Sequence, residues 1–154
     1  MINKNKIIMG YDLRAKNKHV AEIRIGMFSW PLMLKDTGMG YVLGYGDNVQ
    51  PGTYVYNDGN EGTPVSNDGY KVTAFEAKAM AAIARGYISV KRFINKQYEE
   101  MDETTRKYYE SATFKNNDGT VEKLIKEQVT SEDFLLKLEK FAEFAEKSKG
   151  FTIH

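Results

Sequence analysis

The chain has 154 residues, with 22 Lys and Arg against 21 Asp and Glu and a formal net charge of +1. That balance gives no global pull on duplex nucleic acid, and the absence of cysteine excludes disulfides, thiolate catalysis and cysteine metal ligands. A chain of this size reads as one domain, residues 1–154, which buries roughly 70% of its unfolded surface and needs no covalent or metal staple.

The opening, MINKNKIIMGYD, holds only a short apolar run, so no secretory signal is expected, and no apolar stretch approaches a membrane span. A cytoplasmic protein without a membrane partner is the expectation. Frequent Lys, Asn, Ile and Tyr suggest an AT-rich coding source, such as a low-GC bacterium or its phage.

Residues 7–16 and 20–28 read as a hairpin. Ala21, Ile23 and Ile25 alternate with Glu22 and Arg24, the period of a half-buried strand. Asn17 supplies the turn and is able to take a positive φ. In FSWPLMLKDTG, Ser29 suits a cap, Pro31 a first helical position and Gly38 a helix end. Residues 40–72 are irregular, with GTYVY as a short strand candidate. So long a featureless loop hides a hairpin or carries function.

Thr73 and Glu76 have the spacing of a capping box. The helix after them is expected to bury Met80, Ile83, Tyr87, Val90 and Ile94. Asn67-Asp68-Gly69 is then the turn that aims the chain at this cap. The same tripeptide recurs at 57–59 and 117–119 as further turns. A polar helix is expected from Gln97 to about Ser111, and a short helix or strand from Val121 to Gln128. Thr130 is expected to cap the last helix, with Asp133 assisting and Val129 stapling onto Phe134. Its buried stripe is Phe134, Leu138, Phe141 and Ala145, and Gly150 ends it. FTIH is expected to join the N-terminal sheet.

Catalytic patterns are scarce. His19 and His154 have no partner at ligand or triad spacing. Gly38, Gly40, Gly44 and Gly46 miss the phosphate-loop spacing, and the three Asn-Asp-Gly segments lack the ligands of a calcium loop. No cofactor is expected. The aromatic cluster is more suggestive: Trp30, Tyr45, Tyr54 and Tyr56, with Asp68 and Lys71 at the rim, form a candidate binding site. Ring faces with a few charges hold nucleobases and protein partners.

Several stretches together resemble a family of small uncharacterised bacterial and phage proteins. They are MGYDL at 9–13, Trp30 opening a helix, GT at 52–53, SNDGYKVTAFEAKAMAAIARGYI at 66–88 and LEKFAEFAEKSKGFTI at 138–153. Members begin Met-Gly-x-Asp and close with a helix followed by Gly-Phe-x-Ile. The resemblance implies that Met9 is the usual start and residues 1–8 an extension; it supplies no activity. Residues 96–128 have no counterpart in it.

The expected fold is α+β: a small antiparallel sheet from the chain ends, packed against two or more amphipathic helices. The expected function is a non-catalytic binding protein. It would block a host process by binding a host protein or by sequestering a small nucleotide-like ligand. One alternative is a hydrolase built from Asp12, Asp47, Asp58 or Asp68. The other is a structural protein acting as a homo-oligomer.

Overall fold

A computed structural model describes residues 9–45, 62–119, 121–123 and 130–154. The expected extension 1–8, the strand GTYVY, the rings Tyr54 and Tyr56, the acids Asp47 and Asp58, and the staple at Val129 lie outside the described residues. The fold is α+β, as the patterning implies.

Strand β1 (Gly10–Ala15) pairs antiparallel with β2 (Ile23–Gly26), with Tyr11 opposite Ile25 and Leu13 opposite Ile23. Asn17 organises the turn through its side chain and not through a positive φ. Its Oδ1 accepts from the His19 amide at 3.1 Å and its Nδ2 donates to the Lys147 carbonyl at 2.9 Å. Strand β3 is Tyr70–Val72, and the final strand β6 is Phe151–Ile153. The four strands form one antiparallel sheet in the order β2-β1-β6-β3, so the last strand sits between one from each earlier segment. β3 corrects the reading of 40–72 as irregular up to the cap, for a strand stands between the Asn67-Asp68-Gly69 turn and Thr73. Gly69, at φ 89°, instead delivers the chain into the sheet, with its amide on the Ile153 carbonyl at 2.8 Å.

Period two decides the two faces of this sheet. Tyr11, Leu13, Ile25, Tyr70, Val72, Phe151 and Ile153 are buried. Asp12, Arg14, Arg24, Lys71 and Thr152 alternate with them and take the opposite face.

Helix α1 (Ser29–Asp36) starts one residue earlier than a Ser29 cap requires. Phe28 holds the cap position without a side-chain bond, and Pro31 is the third helical residue. That position also lacks an intrahelical partner for its amide, so proline is tolerated there. Gly38, at φ 80°, ends the helix as expected, and a 3-10 turn, Met39–Leu43, follows.

Helix α2 (Ala74–Glu99) carries the expected capping box in both directions. Glu76 N donates to Thr73 Oγ1 at 3.1 Å, and Thr73 N donates to the Glu76 carboxylate at 3.0 Å. Its buried face is Ala77, Met80, Ala81, Ala84 and Ile88. This corrects the expected stripe, which shares only Met80; Val90 is 57% exposed. Alanines occupy the inner positions, and a stripe drawn through the large side chains is rotated away from them.

Helix α3 (Glu103–Ser111) is capped by Asp102, which accepts from the Thr105 amide at 2.8 Å. Strands β4 (Thr113–Lys115) and β5 (Val121–Lys123) then pair as a two-stranded sheet around Asn116-Asn117-Asp118-Gly119. Helix α4 (Glu132–Lys147) is capped by Ser131, not by Thr130. The Phe134 amide donates to Ser131 Oγ at 3.3 Å and the Leu135 amide to the Ser131 carbonyl at 3.2 Å. Of the expected stripe, Leu138, Phe141 and Ala145 are buried, joined by Leu135, Ala142 and Phe144.

The chain divides into two compact units, Met1–Ala84 with Lys140–His154, and Arg85–Glu139. In the first, Trp30 packs on Phe141 with centroids 5.4 Å apart, and Phe151 meets both Phe141 and Phe144 edge-on. In the second, Arg92 bridges Glu132 at 2.9 Å and Glu139 at 3.3 Å, and Tyr87 meets Phe134 edge-on.

Candidate functional site

The solvent face of the four-stranded sheet is polar by the same alternation that fills the core, and it carries charges of both signs. On the β1–β2 side they pair. Arg14 Nε meets Glu22 at 2.8 Å, and Arg24 Nε meets Asp12 at 3.1 Å. Over the central strand β6 the face sinks into a trough of about 500 Å³.

Small residues make the floor of this trough and long ones make its walls. Register places Arg14 and Lys71 on either side of Thr152, so the three form a row across β1, β6 and β3. Lys16 N donates to the Gly150 carbonyl at 2.8 Å, which continues the alignment past the end of the strands. Gly150 has φ 97°, and a Cβ there would lie 2.7 Å from the Val72 carbonyl, so the floor has no room for a side chain. Lys149 borders the same space with φ 58°; among the described residues it is the non-glycine residue in the left-handed region. Four cationic side chains, Arg14, Lys16, Lys71 and Lys149, thus line the trough, and no acidic one among the described residues does.

The helix end beneath the trough is built to hold this shape. Ser148 is buried; its hydroxyl donates to the Ala145 carbonyl at 2.9 Å and accepts from the Gly150 amide at 3.1 Å. Thr152 Oγ1 lies 2.8 Å from His154 Nε2, two residues further along the chain and away from Gly150. Such an arrangement can hold an anion with several charge-assisted hydrogen bonds.

Of the six residues proposed from the sequence, Lys71 lies in the trough. Trp30 does not serve as a ligand platform. It is fully buried and donates its Nε1–H to the Pro64 carbonyl at 2.8 Å, so it completes the core. Tyr45 is half-buried just past the 3-10 segment; burial first, and then charge repulsion from the Tyr45 phenol group, push the Tyr11 hydroxyl above its ordinary pKa. Asp68 is exposed in the turn before β3, and Tyr54 and Tyr56 lie outside the described residues. The aromatic cluster and the trough are therefore joined through Lys71 alone among the described residues. Arg14, Lys16, Lys149 and Thr152 are not among the candidate site residues read from the sequence, where Lys149 is a cation suited to the negative end of the last helix. The alternation of Asp12, Arg14 and Lys16 with Tyr11, Leu13 and Ala15 was the available signal.

Among the described residues no His, Asp and Glu cluster could hold a metal ion, and no helix is long and apolar enough to cross a membrane. Comparison with family models, curated proteins and solved structures gives no match for the chain.

Proposed function

We propose that the protein is a non-catalytic binding protein that holds a small phosphorylated, nucleotide-like ligand in the trough. The observation that carries this reading is the meeting of Arg14, Lys16, Lys71 and Lys149 around Gly150 and Thr152 in one trough. Phosphate oxygens accept from Arg and Lys in the short, strong geometry of charge-assisted bonds, and Arg14 offers a planar fork for two of them. If the chain is phage-encoded, one of the two sources of the bacterial and phage proteins it resembles, keeping such a ligand from its users would block a host process.

Calorimetric titration with AMP, ADP and ATP at low ionic strength tests this. Binding is expected in the parent and a loss of roughly tenfold or more in Arg14→Ala/Lys71→Ala, which removes both walls of the central row. Equal heats in parent and double variant would move the ligand elsewhere, and absence of binding by all three nucleotides would end the reading.

A further inference from the structure

The cations of the trough stand in two tiers. Arg14 and Lys71 flank Thr152 in the first. Two residues along the strands, Lys16 aligns with Gly150 in the second, with Lys149 beside it. Two residues of antiparallel strand span about 6.8 Å. One phosphate group between Arg14 and Lys71 does not reach Lys16 and Lys149, two residues further along the strands. The first turn of α2 also opens here, but Thr73 and Glu76 already cap it, so the side chains make the site.

Lys149 sharpens the point. A left-handed backbone suits glycine or asparagine and disfavours lysine, yet lysine stands at φ 58° beside the second tier. Its side chain supplies there what glycine cannot, a positive charge over the trough.

Resting on the phosphorylated-ligand reading, we infer that the trough takes a chain of three phosphates. One end lies between Arg14 and Lys71, and the other lies against Lys16 and Lys149. Two sources carry this group, inorganic polyphosphate and a nucleoside triphosphate.

The experiment is calorimetry at fixed ionic strength with orthophosphate, tripolyphosphate and ATP. It uses the parent, Lys149→Gly, Lys16→Ala, and Lys140→Ala as a charge control on an exposed helix position away from the trough. Lys149→Gly is expected to keep or raise the thermal midpoint, because glycine suits that backbone. Each second-tier variant is expected to weaken tripolyphosphate roughly two- to fivefold, the scale of an exposed charge contact. Orthophosphate affinity and the control should be unchanged. Tighter binding of ATP than of tripolyphosphate would support the nucleotide source, and equal binding the chain of phosphates alone. If tripolyphosphate shows no advantage over orthophosphate, or both weaken equally in the second-tier variants, the two-tier site is overturned while the phosphate reading stands. If no phosphate compound binds, both fail.

Discussion

Trp30 shows how a side chain with two plausible uses is assigned by its neighbours. An indole has a face for a ligand and a donor that demands a partner when buried. Here the donor finds the Pro64 carbonyl at 2.8 Å and the ring finds Phe141, so both are spent inside. Trp30→Ala is expected to destabilise the protein by about 3–5 kcal/mol in urea denaturation, the scale of a large aromatic removed from a core. Trp30→Phe should lose less, about 1–3 kcal/mol, mostly from the stranded carbonyl. A Trp30→Ala protein of parental stability would return this ring to the list of surface residues. The composition around residues 30–56 could not make the assignment, because Pro64 and Phe141 come from remote segments of the chain.

At the scale of elements, a local cap is legible at the start of α2 but not at α3, where Asp102 opens a new helix inside the stretch expected to run unbroken from Gln97. The Thr73–Glu76 pair needs only four consecutive residues to form. The start of α4 was misplaced by one residue, although Thr130 and Ser131 are both chemically fit to cap. Asn95, on α2, makes the choice. It donates to the Thr130 carbonyl at 2.6 Å and accepts from the Thr130 amide at 3.1 Å, which ties up that backbone and leaves the cap to Ser131. Ser131→Ala is therefore expected to cost about 1 kcal/mol and Thr130→Ala much less, as read from denaturation midpoints. The reverse order would restore the sequence-based cap. For α3 the cap is also a titrating group. Hydrogen bonds from the Thr105 amide and hydroxyl hold the Asp102 carboxyl below the ordinary carboxylate range. A depressed carboxyl stabilises the fold fully above its unfolded pKa and loses that contribution as pH falls through the folded value. Protection of the α3 amides, measured relative to their intrinsic exchange rates, should thus fall on acidification below about pH 4. In Asp102→Asn that step should be absent; its persistence would place the titration on another group.

For the whole molecule, the near-neutral sequence concealed a local cationic lining. The net charge of +1 is an average over pairs such as Arg24 with Asp12 and over a trough with four cations. Alternation along β1 shows which residues share a face, but not which strands lie beside them. Lys71 and Lys149 reach Arg14 only because β6 inserts between β1 and β3, and that register joins residues far apart in sequence. The chemistry was therefore present in the composition while the site was not. A ligand that binds the native trough and not the unfolded chain must stabilise the whole fold, by about 2.7 kcal/mol at a hundredfold excess over its dissociation constant. Because the four cations border open solvent, added salt should erode this gain as the Debye length shortens to about 8 Å at physiological ionic strength and about 3 Å at 1 M. Removing Arg14 and Lys71 should leave the ligand-free midpoint nearly unchanged, since an exposed pair such as Arg14–Glu22 contributes at most about 1 kcal/mol. Thermal denaturation with and without tripolyphosphate, across a sodium chloride series, joins these expectations in one measurement. The parent should show a ligand-dependent rise that fades with salt, and Arg14→Ala/Lys71→Ala should show none. A rise of equal size in both proteins would mean that the stabilising anion sits away from the trough, and a rise indifferent to salt would mean that charge is not what holds it.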